Sequence, residues 1–97
     1  MPRKLSQAEL SQALEALPGW EVRNEKLHRE YRFADFTLAF GFMATCATHL
    51  EKVNHHPEWQ NVWNRVTVDL MTHDAGGVTA KDLELASFFE ATAARFA

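Results

Sequence analysis

The side chains best suited to chemistry in this 97-residue chain are imidazoles, and three of its five histidines, His55, His56 and His73, fall close together. His55 and His56 are adjacent and run into Pro57, and His73 follows an alternating run that reads as a strand. Imidazole titrates near about pH 6.5 when unperturbed, so at neutral pH it can donate or accept a proton. Three of them in one pocket would suit a reaction that moves protons and needs no redox cofactor. A metal is the rival reading, since three histidines suffice for a catalytic zinc. Ligand geometry disfavours it. Neighbours on an extended backbone point opposite ways, and neither His-x-Glu nor His-Glu-x-x-His spacing occurs. Cys46 and His49 share a helix face but read as packing and surface residues.

Other side chains have two readings. Glu51 lies one helical turn before His55 and either orients a histidine through a hydrogen bond or is simply solvated. Trp59 is either an aromatic wall for a flat heterocycle or a core or edge tryptophan; Trp20 and Trp63 read as structural. Asp82 is the third helical residue of a capping box, Thr79-Ala80-Lys81-Asp82, so its carboxylate is expected on backbone N–H groups. Asp74-Ala75-Gly76-Gly77 lacks the Gly-x-Gly-x-x-Gly pattern of a phosphate loop, and no Ser or Cys sits in a nucleophile elbow.

The elements that must position these groups can be read in order. Ser6-Gln7-Ala8-Glu9 is a capping box, with Leu5 and Leu10 placed as a hydrophobic staple. Leu10, Ala13, Leu14 and Leu17 continue at helical spacing until Pro18-Gly19. Trp20-Glu21-Val22 reads as a short strand and Asn24-Glu25-Lys26 as a turn. Leu27, Arg29, Tyr31 and Phe33 then alternate with His28, Glu30 and Arg32, which predicts a hairpin. Asp35 caps a long helix in which Phe36, Ala39, Phe40, Met43, Cys46, Ala47, Leu50 and Val53 form one apolar face. Leu38 and Phe42 lie outside that stripe, beside Thr45 and His49. They are covered either by the first helix or by another copy of the chain. Asn54 tolerates the left-handed conformation that ends a helix, and Pro57 keeps His56 out of helical geometry. His55 and His56 therefore leave the helix on a constrained backbone. Trp59 to Val62 reads as a strand, Trp63-Asn64-Arg65 as a turn or bulge, and Val66 to Thr72 as a strand ending at His73. A last helix runs from the second capping box to about Ala94, with Leu85, Phe88, Phe89, Thr92 and Phe96 on one side. The expected fold is α+β: one domain over 1–97, in the order α-β-β-α-β-β-α, with three helices mainly on one face of a four-stranded antiparallel sheet.

Composition narrows the function classes. The chain is 46% hydrophobic and 24% charged, ordinary for a globular domain, and its net charge of −3 argues against a nucleic-acid binder that relies on phosphate attraction. The single cysteine excludes an intrachain disulfide and fits a reduced, cytoplasmic setting. No apolar run approaches a membrane span, and the polar N-terminus is not a signal peptide.

Glu51, His55-His56-Pro57, Trp63, His73 and Asp82 together resemble the signature of the pterin-4a-carbinolamine dehydratase (4a-hydroxytetrahydrobiopterin dehydratase) family. The strings His56-Pro57-Glu58-Trp59, Thr72-His73, Gly77-Val78-Thr79 and Asp82-Leu83-Glu84-Leu85-Ala86 are similar too. Trp63 stands where the family commonly has tyrosine, and Val78 where it has leucine. The resemblance implies dehydration of a 4a-hydroxytetrahydropterin, left by an aromatic amino-acid hydroxylase, to quinonoid dihydropterin and water. It implies no cofactor, and dimers or tetramers meeting through helices, here the Phe36–Val53 helix. It makes His55, His56 and His73 the active-site histidines. Pro57, Thr72, Asp74 and Ala75 would line the pterin site and Trp59 would border it. Asp82 then reads as the helix cap behind the pocket rather than a catalytic acid. A non-catalytic interaction module on the same fold is the alternative.

Overall fold

Local rules set the ends of most elements. In the computed structural model, which describes residues 3–97, helix α1 spans Gln7–Leu14. Ser6 Oγ accepts from the Glu9 N–H, and the Glu9 carboxylate accepts from the Ser6 N–H, as the capping box requires. The helix stops before Pro18 because its last turn tightens: Glu15, Ala16 and Leu17 each donate to the carbonyl three residues back.

Strands β1 (Glu21–Arg23) and β2 (Lys26–Arg32) form the expected hairpin. Asn24 and Glu25 both take positive φ, 53° and 63°, as a two-residue primed turn demands. Helix α2 (Phe36–Val53) starts where Asp35 accepts the Leu38 N–H and ends at Asn54 in the left-handed region, φ 53°. Strands β3 (Glu58–Val62) and β4 (Arg65–Leu70) form a second hairpin, in which Arg65 pairs with Val62 rather than joining the turn. A short 3-10 turn, His73–Ala75, precedes α3 (Ala80–Ala94).

The sheet is antiparallel in the order β1-β2-β4-β3. The central pairing puts Leu27 opposite Leu70 and Tyr31 opposite Val66, so both hairpins turn their apolar faces the same way. A one-residue slip would move every one of these side chains to the other face. Phe42, Cys46 and Phe89 from the helices close that face and are fully buried. Burial is worth about 1.5–3 kcal/mol for each large apolar side chain. It also pushes the Cys46 thiol up to about 12, which removes it as a nucleophile at neutral pH.

Helix α2 is rotated relative to expectation. Its buried residues are Ala39, Phe42, Cys46 and Leu50, whereas Phe36, Phe40 and Val53 are 48%, 55% and 45% exposed. Phe42, expected outside the stripe, is in the core. The two readings share Ala39, Cys46 and Leu50, so helical spacing fits both. Helix α3 decides between them by docking on the Phe42 side: Phe42 and Phe89 are 5.9 Å apart, and His49 stacks on Phe88 at 3.8 Å. Phe96, just past α3, lies so close to Gly41 that a Cβ there would come within 2.9 Å of its ring. Phe42 is therefore covered within the chain, by α3 rather than by α1 or another copy.

Candidate active site

His55 and His56 come directly after the end of α2. Asn54 turns the chain left-handed, the His55 N–H still donates to the Leu50 carbonyl, and Pro57 keeps His56 on an extended backbone. The two imidazoles then part. His55 turns inward, leaving 14% of its side chain exposed, and His56 outward, with 53% exposed.

What His55 meets is a buried polar network built by the start of α3. The capping box forms there as expected: the Thr79 N–H donates to Asp82 Oδ2 at 2.9 Å. Thr72 Oγ1 also donates to Oδ2, at 2.9 Å, and itself accepts from Thr79 Oγ1 at 2.7 Å. The other carboxylate oxygen, Oδ1, lies 2.6 Å from His55 Nε2. A carboxylate only accepts, so His55 donates Nε2–H and Nδ1 is the nitrogen left for a ligand. The Asp82 side chain is wholly buried, and a buried carboxylate is tolerable only when bonded in this way. Asp82 thus caps α3 and holds His55 at once.

The pair His56 Nε2–Glu51 Oε1, at 3.2 Å, is of another kind. Glu51 is 84% exposed, and such a pair is worth about 0.2–1 kcal/mol. It sets a direction for the ring without fixing it. His73 opens the 3-10 turn and is exposed. Strand β4 ends at Leu70, so His73 does not close the strand. It is placed by Thr72, whose N–H donates to the Gly77 carbonyl at 2.9 Å. Gly76 makes this closure possible by taking φ 73°.

All three histidines line one open cleft of about 440 Å³. Pro57, Thr72 and Asp74 are on its walls, as are Asn54, expected only as a helix end, and Glu58 and Lys81, which were not expected at the site. Lys81 lies between the cap residue Thr79 and Asp82, and that position was the available signal. Trp59 and Ala75 are not on these walls. Trp59 sits on the inner face of β3, edge-on to Phe89 at 6.0 Å. Among the described residues no group of three or more His, Cys, Asp and Glu side chains could hold a metal ion.

A larger cavity, of about 510 Å³, lies elsewhere, beside Arg29, Tyr31 and Glu90. There the Glu90 carboxylate accepts from Trp20 Nε1–H at 3.0 Å, Arg29 Nε–H at 3.3 Å and the Tyr31 hydroxyl. Burial, then the bond to Glu90, push the Tyr31 hydroxyl far above its ordinary value, so it transfers no proton near neutrality. That node ties α3 to the sheet. In the histidine cleft, by contrast, His56 and His73 are open to solvent, and His55 is bonded to Asp82.

Known proteins are similar to this chain over nearly its whole length. A relative from Solibacter usitatus, provisionally named a pterin-4-alpha-carbinolamine dehydratase, is 58% identical over 94 residues, covering 97% of this chain and 99% of the relative. A relative of the same name from Opitutus terrae is 54% identical, covering 93% of this chain and 94% of its own. The crystal structure of a transcriptional coactivator/pterin dehydratase from Brucella melitensis superposes with a TM-score of 0.91 at 45% identity, covering 94% of this chain and 99% of that one. The family model for pterin 4 alpha carbinolamine dehydratase matches residues 3–92, from the first capping box through the histidine cleft to the last turns of α3, and the chain belongs to that family.

Proposed function

We propose that this protein dehydrates a 4a-hydroxytetrahydropterin to quinonoid dihydropterin and water, in the recycling of a tetrahydropterin cofactor. The observation that carries the reading is the meeting of three histidines on one cleft, with His55 pinned to a buried carboxylate. In the substrate, a hydroxyl and nitrogen 5 share carbon 4a. A protonated imidazole donates to the hydroxyl as the bond from carbon 4a to oxygen breaks. A neutral imidazole takes the proton from nitrogen 5, and the freed pair forms the double bond between carbon 4a and nitrogen 5. Water leaves and the protons balance. His56 and His73 are assigned the two transfers because both are solvent-accessible and can exchange protons with water. His55, with Nε2–H committed to Asp82, holds and polarises the substrate. Pro57, Thr72 and Asp74 form the walls, and Glu51 aims His56.

Self-association through α2 accompanies this reading, because Phe36 and Phe40 form an exposed aromatic pair, with ring centroids 5.7 Å apart. A homodimer or homotetramer would cover it, and a cytoplasmic setting suits the free thiol of Cys46. The same exposed pair also favours a second reading, a non-catalytic interaction module.

The test is a coupled assay in which an aromatic amino-acid hydroxylase generates the carbinolamine and dehydration is followed by absorbance. The protein should accelerate dehydration, and His56→Ala and His73→Ala should each reduce that acceleration by ~10²-fold or more. Unchanged rates in both variants would overturn the acid–base assignment. No acceleration by the unaltered protein would favour the interaction module.

A further inference from the structure

The three histidines of the cleft are not held alike. His55 has Asp82 and His56 has Glu51, but among the described residues His73 takes part in no ion pair. Its place in the cleft therefore rests on its backbone, which is a tight loop. The Thr72 carbonyl accepts from the N–H groups of Ala75 at 3.1 Å and Gly76 at 3.0 Å, and the Thr72 N–H donates to the Gly77 carbonyl.

The loop has two flanks. On one, the Thr72 hydroxyl and the Thr79 N–H both donate to Asp82. On the other lies the start of the chain. The Leu5 N–H donates to the Val78 carbonyl at 2.9 Å. The Lys4 stem crosses Gly77, so that a Cβ on Gly77 would come within 2.8 Å of Lys4 Cε, 3.1 Å of Cδ and 3.2 Å of Cγ. Gly77 and Val78 are buried while the Lys4 side chain stays 54% exposed. A lysine can cover buried backbone in this way and keep its ammonium in water. That ammonium is 4.0 Å from the Glu25 carboxylate in the β1–β2 turn; both groups are exposed, so the pair directs the side chain and adds little hold. The segment is tethered from behind by the α1 capping box, which starts at Ser6, and by the Arg3 guanidinium on Glu9.

We propose that residues 3–5 form a strap that positions His73 for proton transfer. The inference rests on the dehydratase reading above. The strap fixes Gly77 and Val78, the bridge from Gly77 fixes Thr72, and His73 follows Thr72 directly. Lys4 and Leu5 do not line the cleft, so they are positioning residues that act only through the loop. Glycine is required at position 77 because a side chain there would lift the Lys4 stem. Proton transfer needs hydrogen-bond distance, and a displacement of about 1 Å can cost ~10²-fold in rate, so even a small release of the loop is visible in kcat.

The experiment measures dehydration of the carbinolamine by the full chain and by Lys4→Ala, Lys4→Met, Gly77→Ala and the Lys4→Ala/Gly77→Ala double variant. Imidazole NMR spectra accompany each, at temperatures where thermal melts show the variant folded. Lys4→Ala should lower kcat roughly tenfold with KM unchanged. It should also move the ring resonances of His73 and leave those of His55 in place. Lys4→Met keeps the stem without the charge and should retain the rate. Gly77→Ala should lose about as much as Lys4→Ala, and the double variant no more than either, because both remove one contact. An unchanged kcat in Lys4→Ala, an equal loss in Lys4→Met, a loss confined to KM, or His73 resonances that stay in place would overturn the strap. Absence of dehydration by the unaltered protein would instead overturn the dehydratase reading, and the His73 resonances would then decide the strap by themselves.

Discussion

The chain contains two capping boxes, and they obey one local rule with different consequences. At α1, Ser6 and Glu9 exchange hydrogen bonds on the surface, and the carboxylate is shared with the exposed guanidinium of Arg3 at 2.7–2.8 Å. At α3, Thr79 and Asp82 make the same exchange with both side chains fully buried, and the carboxylate is shared with Thr72 and His55. One box ends a helix. The other ends a helix, closes the Thr72–Gly77 loop behind His73, and pins an imidazole of the cleft. A local motif therefore states where a helix begins, and burial and partners state whether it does anything more.

Substitutions should separate the two boxes, and the largest difference is expected at the carboxylates. Asp82→Ala strands the Thr79 N–H, the Thr72 hydroxyl and His55 in a buried site at once, and should cost ~3–5 kcal/mol in urea unfolding. It should also lower dehydration even at temperatures where the variant is folded, because His55 loses its orientation. A cost below that of an ordinary cap would show that the buried network adds nothing to the box.

The hydroxyls should differ less. Thr79→Ala removes the cap of α3 and a donor to Thr72, with an expected loss of about 2 kcal/mol; Ser6→Ala on the surface should lose about 0.5 kcal/mol. Paired denaturation curves measure both, and equal losses would contradict the distinction drawn from burial.

The smallest effect concerns pH. The Arg3 hydrogen bond, and next the Ser6 N–H, hold the Glu9 carboxyl down to about 2 from its ordinary 4.5. A depressed folded value means that the contribution is complete above about 4.5, where the unfolded chain is already ionised. It is lost as pH falls through about 2. An NMR titration of Glu9 should show the low midpoint, and Arg3→Ala should return it toward 4.5. A midpoint already near 4.5 in the unaltered protein would mean that the surface pair is not formed in solution.

Much of this architecture was legible before any fold was in view. Ser6, Asp35, Asn54 and Thr79 mark helix ends because a cap is satisfied within three or four residues, whatever the rest of the chain does. The hairpins were legible from alternation, and residue type and position marked the three histidines that the structure brings to one cleft. The inward face of α2 was not. Phe36 and Phe40 are as apolar as Phe42, and only the docking of α3 distinguishes them. Lys81 and Glu58 were missed because a lone charge beside a cap or after a proline reads as solvated surface, and the walls of a cleft come from elements far apart in the chain.

The division is one of distance along the chain. By itself the sequence determined the order of elements, their caps and turns, and the constrained exit of His55 and His56 from α2, because each depends on interactions among near neighbours. Only the tertiary structure decided that Asp82, 27 residues beyond His55, is its partner as well as a helix cap. It likewise decided that Thr72 reaches the same carboxylate. Those contacts depend on how helices and sheet pack, and packing is settled by the burial of whole faces together.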